Sequence, residues 1–338
     1  MTLELPLESR FELDSHTLRI VRAVAETGSI TAAAAALGFS QPAISQHLKR
    51  AEARIGMPII ARAGRGVRLT EAGRVLALHA GTVTRALDAA AGELSELAGL
   101  RAGRVRLASF PSASPTLIPR LLGRLAQEHP GIGVSYLEAE PPEAVQAVRD
   151  QQVDLALTFS YPGDKVDPHK DSARGLVVAP LWRDEMLLAL PDDHPAAAGI
   201  AGTAGIAGTA GIAGRVGVTV ALDELATESW IAGCPRCRGH LLQLAEQSGF
   251  KPTIAYETDN FVAVLGMVAA RLGVALIPSL AVDAASVPPG VVIRPTSNRD
   301  YRTIHLVGAA GGDQVPAIAV TIAAIVDLDT SAWSLAAA

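Results

Sequence analysis

Between Ser29 and Thr70 the chain sets two helix-forming runs around a glycine turn and follows them with an arginine-bearing hairpin, and nothing else in it restricts the fold so tightly. The first run, Ile30 to Leu37, is mostly alanine and stops at Gly38. Ser40 stands where the second run needs an N-cap, its hydroxyl placed to accept a first-turn backbone N–H. In that second run Ile44, Leu48, Ala51 and Ile55 recur at spacings of four, three and four, which makes one apolar stripe. Gln41, Pro42, Ser45, Gln46 and Lys49 occupy the other side. This is the pattern of a helix-turn-helix, whose second helix enters the major groove of DNA. Glutamine can pair bidentately with adenine, and serine can meet either kind of base-edge group.

An ordinary surface helix shows the same amphipathic pattern but no charge bias. Residues 15–75 carry nine Lys or Arg (19, 22, 49, 50, 54, 62, 65, 68 and 74) against three Asp or Glu (26, 52 and 71), a net of +6. The whole chain is −5, which leaves −11 to the rest. A basic module on an acidic protein is the electrostatic footprint of nucleic-acid binding. After the second helix, two β-capable runs from Ile59 to Thr70 flank Gly64 and Gly66 and predict a hairpin. Its arginines, Arg62, Arg65 and Arg68, suit phosphates or the minor groove and give affinity rather than sequence choice.

The module resembles the winged helix-turn-helix of the LysR-type transcriptional regulators. The resemblance rests on Ser29, Thr31, Ala33-Ala34, Leu37, Ser40-Gln41-Pro42-Ala43, Ser45, Ile55-Gly56, Arg62 and Leu69-Thr70-Glu71-Ala72-Gly73. Ala51 stands where that family usually has leucine, and Ile60 where it usually has phenylalanine; both are packing positions. The candidate DNA contacts are Thr31, Ser40, Gln41, Pro42, Ala43, Ser45, Gln46, Lys49, Arg50, Arg62, Arg65 and Arg68.

A first helix, Ser15–Thr27, is expected to pack behind the helix-turn-helix and stop at Gly28. From Glu71 to about Leu97 no proline interrupts a long helix. Leu76, Val83, Ala90 and Leu97 recur every seven residues, with Ala80, Leu87 and Leu94 in a second seam. At roughly 1.5 Å per residue it spans about 40 Å, enough to pair with a second copy. LysR-type proteins use this linker helix to dimerise and commonly assemble as tetramers, so a homodimer and a homotetramer are what the resemblance implies. The expected divisions are 13–72 for the winged helix-turn-helix, 73–100 for the linker helix and 104–328 for a third region, with a hinge at Gly99–Gly103.

In that region strands (Val105–Ser109, Gly133–Leu137, Val153–Phe159) alternate with helices (Thr116–Glu128, Pro142–Gln151), the pattern of a parallel sheet with helices on its faces. Leu181–Leu190 opens a second lobe; helices at Arg238–Ser248 and Phe261–Arg271 and a strand at Gly273–Ile277 follow. Val291–Arg294 and Thr303–Val307 are expected to return as strands to the first lobe, closed by a helix over Val315–Leu328. Two α/β lobes, I at about 104–180 and 290–328 and II at about 181–289, resemble the effector-binding domain of LysR-type regulators, which is of the type II periplasmic-binding-protein kind. Gly199–Gly214 is a near-perfect six-residue repeat and reads as an inserted loop without function.

Small ligands of such folds occupy the cleft near the strand ends. Hydroxyls and free N–H groups at the junction Ser109-Phe110-Pro111-Ser112 suit an anion, although ordinary N-capping explains the serines equally well. In LysR-type regulators this junction lines the effector cleft, which makes Ser109 and Ser112 the first candidates; Thr158, Ser160, Thr258 and Cys234 complete the set. The partner implied is a small-molecule effector, an anion being one option.

Cys234-Pro235-Arg236-Cys237 precedes a helix, with His240 three residues on. A C-x-x-C at a helix N-terminus predicts a lowered pKa for its first thiol, hence a redox switch; buried inert cysteines are the plainer alternative. Three possible zinc ligands lack a fourth nearby, so no metal and no cofactor are expected. Two cysteines make no disulfide framework. No apolar run reaches membrane-spanning length and no secretory signal is visible at the N-terminus, so the expectation is a cytoplasmic protein. The reading is a DNA-binding regulator modulated by an effector in the cleft. A redox-responsive regulator acting through Cys234 and Cys237 is the variant. An α/β enzyme or a solute-binding protein is the competing class, opposed by the absence of a phosphate loop or a nucleophilic triad.

Overall fold

The computed structural model describes residues 13–63, 66–97, 103–163, 169, 175–198 and 219–338. The chain divides into two compact units, Met1–Ala98 and Gly99–Ala338. Arg65, most of the expected hinge and the Gly199–Gly214 repeat lie outside the described residues.

The first unit has α1 (Ser15–Thr27), α2 (Ile30–Leu37), α3 (Gln41–Ile55), β1 (Ile60–Ala63), β2 (Gly66–Leu69) and α4 (Glu71–Leu97). Side-chain caps set the helix starts: Asp14 accepts from the Thr17 N–H, Ser29 from that of Ala32 and Ser40 from that of Ala43. Gly38 closes α2 at φ +73°, a left-handed turn that a side chain would strain. The apolar stripe of α3 (Ile44, Leu48, Ala51, Ile55) joins Leu18, Val21 and Val24 of α1 in one core. The β1–β2 hairpin pairs Ile60 with Leu69 and Ala63 with Gly66. It is tied down at both ends. Glu52 accepts from the N–H groups of Ile59 (2.8 Å) and Ile60 (3.2 Å), and the Val67 N–H donates to the Gly28 carbonyl. A Cβ on Gly66 would stand 2.8 Å from that carbonyl oxygen, so glycine is needed there.

The heptad strip of α4 splits. Leu76 and Ala80 are buried in this unit's own core, whereas Val83, Leu87 and Leu94 are exposed.

The second unit contains β3 (Gly103–Ser109), α5 (Leu117–Glu128), β4 (Ile132–Glu138), α6 (Pro141–Arg149), β5 (Leu155–Ser160), β6 (Leu176–Pro191), β7 (Ser229–Ala232), α7 (Pro235–Gln247), β8 (Thr253–Glu257), α8 (Phe261–Ala269), β9 (Val274–Pro278), α9 (Ser279–Ala284), β10 (Val291–Pro295), β11 (Tyr301–Ala309), α10 (Pro316–Val326) and β12 (Leu335–Ala337). The ladder runs β4-β3-β5-β11-β6-β9-β7-β8. Strand β6 belongs to both lobes: Leu176–Glu185 pairs with β11, and Met186–Ala189 pairs with β9. Apolar clusters cover both faces, with α5, α7 and α10 on one side, α6 on the other side of the first lobe and α8 on the other side of the second.

One expectation is corrected. Val291–Arg294 does not return to the first lobe; β10 pairs with Leu187–Pro191 of β6, and Val291 and Ile293 pack with Leu187, Ala189 and Val264. The chain crosses back only after Pro295, where β11 opens. Three strands and a short helix, β7, β8, β12 and α9, were not anticipated, all being six residues or fewer. Among the described residues no helix is long and apolar enough to cross a membrane.

Where the two halves of β6 meet, Asp184 and Arg302 form a fully buried ion pair. Asp184 accepts from Arg302 Nε (2.9 Å) and Nη2 (2.8 Å), from the Ser279 hydroxyl (2.8 Å) and from the Leu280 N–H (3.1 Å). The second-lobe helix α9 is thereby anchored to the strand that enters the first lobe.

Candidate DNA-binding surface and ligand pocket

On α3 the burial of one stripe forces the other outward. Gln41, Pro42, Ala43, Gln46, Lys49 and Arg50 are exposed, Ser45 is half-buried, and Thr31 and Ser40 are exposed beside them. Gln41 Nε2 donates to the Ser45 hydroxyl at 2.8 Å, which aligns two polar groups in one turn of helix. Arg62 and Arg68 are exposed on the hairpin. The remaining charges behave differently. Arg54 is paired with Asp14 at the start of α1, Arg22 with Glu26 (2.7 Å) and Arg74 with Glu71. Partial burial opposes ionisation of Asp14, but hydrogen bonds from Thr17 and Arg54 outweigh it and hold the carboxyl at about 2. The Thr17 hydroxyl is also 2.9 Å from His47 Nε2, so Arg54, Asp14, Thr17 and His47 lock α3 against α1. Burial, followed by the charge of His16, lowers the His47 pKa and favours the neutral ring, while the charge of Asp14 opposes the shift.

In the second unit a narrow pocket of about 20 Å³ opens among Phe110, Pro111, Ser112, Glu140, Phe159, Gly233, Cys234, Cys237, Asp259, Phe261 and Arg302. Of the six expected effector residues it gathers Ser112 and Cys234. Ser112 is buried and accepts from Arg302 Nη2 at 2.5 Å. The other four lie elsewhere, and strand alternation explains three of them. Phe110 and Phe159 face the pocket, so their neighbours on β3 and β5 face away. Ser109 meets the Tyr136 hydroxyl (2.8 Å), Thr158 meets His169 (2.8 Å) and Ser160 meets His305 (2.9 Å). Thr258 accepts from the Asn260 N–H at 3.3 Å and is outside the lining, although its neighbour Asp259 is in it.

The anionic option also loses ground. Arg302, the cation in the lining, is committed to Asp184 and Ser112, and its guanidinium lies 4.8 Å from the Phe110 centroid and 4.4 Å from that of Phe159. Glu140 and Asp259 line the same space. Burial raises the Glu140 pKa, a hydrogen bond with the Cys234 thiol opposes the rise, and Asp259 adds to it. Arg302 had a readable signal: it shares the buried face of β11 with Ile304 and Leu306, a cation on the apolar side of a strand.

The two thiols are free and their sulfurs are 3.1 Å apart. Cys234 caps α7 and accepts from the Cys237 N–H at 3.4 Å. The Tyr161 hydroxyl, at the end of β5 in the first lobe, donates to Cys237 Sγ at 3.4 Å. The thiol order is the reverse of the sequence expectation. The hydrogen bond that Cys234 donates to Cys237, together with burial and the charges of Cys237 and Glu140, pushes the Cys234 pKa well up. The same bond lowers Cys237; burial opposes this, and Tyr161 and the charge of Arg302 reinforce it. His240 stacks on Tyr161 with ring centroids 3.9 Å apart, and among the described residues no three His, Cys, Asp or Glu side chains group to hold a metal.

A helix-turn-helix with a wing and an exposed polar second helix, carried with a two-lobed α/β unit, defines a winged-helix transcriptional regulator with a solute-binding type of domain. Residues 15–74 match the model of the bacterial regulatory helix-turn-helix protein, lysR family, and residues 98–329 match that of the LysR substrate binding domain. The chain is 29% identical to the probable HTH-type transcriptional regulator LrrA of Synechococcus elongatus, over 89% of this chain and 92% of that one. It is 33% identical to a probable hydrogen peroxide-inducible genes activator of Mycobacterium xenopi, over 53% of this chain and 89% of the relative. Its fold is similar to that of a full-length OxyR variant from Pseudomonas aeruginosa, with a TM-score of 0.66 at 22% identity over 93% of this chain and 95% of that one. The chain belongs to the LysR family of DNA-binding transcriptional regulators.

Proposed function

We propose that the N-terminal half of α3 reads base edges through Gln41, Ser45 and Gln46, while Ser40, Pro42, Ala43, Thr31, Lys49 and Arg50 lie along the backbone. Arg62, Arg65 and Arg68 add phosphate or minor-groove affinity. The observation that carries this reading is the division of α3: its four apolar residues are buried, and the side bearing the amides and cations is exposed. The exposed residues Val83, Leu87 and Leu94 of α4 support pairing with a second copy. A homodimer then presents two readers to paired half-sites, and a homotetramer is the larger assembly. The pocket beside Ser112 and Arg302 takes a small effector, whose occupancy biases one arrangement of the lobes and so one DNA-bound form. The protein works in the cytoplasm as a regulator rather than as an enzyme.

Fluorescence anisotropy on the chain's own upstream duplex and on a scrambled one, over a salt series, tests the DNA reading. The upstream duplex should bind more tightly by on the order of a hundredfold. Lys49→Ala with Arg50→Ala should weaken both duplexes alike and reduce the salt slope by about two. Equal binding of the two duplexes under every condition, or unchanged binding by the double variant, overturns the assignment of these residues.

A further inference from the structure

We propose that residues 329–338, which follow α10, are a releasable strap across the hinge between the lobes, and that its detachment from β6 frees α9 to move with the second lobe. Only the consequence for DNA rests on the regulatory reading above. The strap itself stands on the contacts of this segment.

The segment is fastened in three places. In the first lobe Asp329 accepts from Arg120 Nη2 on α5 at 2.6 Å and from the Ser331 N–H at 3.0 Å. The Trp333 N–H then donates to the Thr330 carbonyl (2.9 Å), a turn that sets the indole centroid 5.7 Å from the Arg120 guanidinium. Trp333 and Leu335 pack on the main apolar core. At the hinge, Leu335, Ala336 and Ala337 of β12 pair antiparallel with Asp184, Arg183 and Trp182 of β6, and the Ala338 N–H reaches the Leu181 carbonyl at 3.3 Å. Strand β11 holds the other edge of those β6 residues, so β12 fills the edge that β9 occupies only from Met186 onward. In the second lobe the Ser334 N–H donates to Asp283 Oδ2 at 3.2 Å, in the last turn of α9.

Helix α9 is therefore held at both ends, and the two fastenings differ in kind. At its start Asp184, fully buried against Arg302, accepts from the Ser279 hydroxyl and the Leu280 N–H. Opening that end strips donors from a buried charge, which is costly. The far end is held by the strap, and the strap lies at the surface. Asp329, Ser331, Ala332, Ala336, Ala337 and Ala338 are exposed. Arg120 and Asp329 are 44% and 58% exposed, and ion pairs in water hold weakly. Strand β12 has three residues, two of them alanine. Segments with few buried contacts and solvent-exposed backbone bonds open well below the free energy of global unfolding, and elements that move in regulation are drawn from them. Opening the strap leaves the Asp184 end of α9 as a pivot and releases the other end. The state of one short edge strand is thereby coupled to the angle between the lobes.

Hydrogen exchange of the full chain, read by mass spectrometry, tests this. In the wild type the amides of residues 334–338 should exchange at least about a hundredfold faster than those of β11, although both strands pair with β6. Ala336→Pro removes a ladder N–H from the middle of β12 and keeps Trp333 and Leu335 in the chain. It should speed exchange in residues 181–186 and in α9 by at least about tenfold and leave β3 and β4 unchanged. Asp329→Ala, at an exposed position, should act in the same direction by several-fold. Exchange of 334–338 as slow as that of β11 overturns the proposal. So does acceleration confined to residues 329–338 in both variants, or acceleration spread evenly over both lobes. Anisotropy on the upstream duplex then compares Ala336→Pro with the wild type. A several-fold change in affinity makes the strap regulatory, whereas equal affinity refutes that role. Failure of both chains to bind DNA strikes the DNA reading, and the exchange measurement still decides the strap.

Discussion

Arg302→Met isolates the junction of the lobes. In the native chain Asp184 is 0% exposed and accepts four hydrogen bonds, two of them from Arg302. The substitution removes the only cation bonded to that carboxylate among the described residues and leaves the Ser279 hydroxyl and the Leu280 N–H. Losing one partner of a buried pair costs about 3–5 kcal/mol, because the remaining charge is uncompensated. The two surviving donors bring the cost toward the lower end. Loss of the guanidinium contacts with Phe110 and Phe159 adds roughly 1 kcal/mol to it. The expected destabilisation is therefore about 4 kcal/mol, or a fall in melting temperature of roughly 10 °C for a unit of this size. The three tryptophans, Trp182, Trp230 and Trp333, all belong to the second unit, so their fluorescence in urea reports it without interference from the first. Asp184→Leu combined with Arg302→Met should recover most of the loss, since a buried pair replaced by apolar residues is often neutral. A single variant that loses less than about 1 kcal/mol, or a double variant as unstable as the single one, would refute the view that an uncompensated buried charge sets the cost.

Leu87→Glu with Leu94→Glu places charge on the exposed strip of α4, where both leucines are more than half exposed. Sedimentation should show dimer dissociation at least about a hundredfold weaker in affinity, with the winged-helix unit still folded. An unchanged assembly state would remove α4 from the interface. At acid pH the Asp14–Arg54 contact should make itself felt in the first unit. The folded-state pKa of Asp14 lies below its ordinary value of 3.8, so its contribution is complete above that value and fades as pH falls through about 2. Because the pair is about a third exposed, solvent screening limits the effect to about 1 kcal/mol. Asp14→Asn should flatten the acid limb of a stability–pH curve by that amount, and an unchanged limb would contradict the shift.

The first unit was legible in the sequence because local chemistry and packing agree there. Ser40 caps α3, glycines end α1, α2 and α3, and the four-three-four spacing of α3 is the buried stripe that the structure contains. Agreement of cap, period and turn residue leaves little for tertiary context to override. The strip of α4 was readable as a pattern but not in its partition. Leu76 and Ala80 face the unit's own core while Leu87 and Leu94 do not, and a repeat of seven is silent about which neighbour each turn meets. In the second unit the long helices declared themselves by length. Four-residue β7 and three-residue β12 offered too short a run, and Val291–Arg294 looks the same whichever edge of β6 it joins.

The pocket was harder to read because a strand shifts its chemistry by one residue. Polar residues at strand ends drew attention to Ser109, Thr158 and Ser160, yet the aromatic neighbours Phe110 and Phe159 are the ones that turn inward. Serine and threonine at those positions meet partners on the opposite face, so residue type pointed correctly to the strand end and wrongly to the face. Cys237 shows the same limit in a helix. The capping thiol of a C-x-x-C is the one a helix terminus should acidify, and here it is not. Two groups from distant sequence, Tyr161 and Arg302, favour charge on the second sulfur, while Glu140 opposes it on the first. Only the fold brings residues 140, 161 and 302 to a pair at 234 and 237. The acidity of Cys237 is thus a property of the packing between the lobes as well as of the thiols, and whatever separates Tyr161 from Cys237 should also lower it.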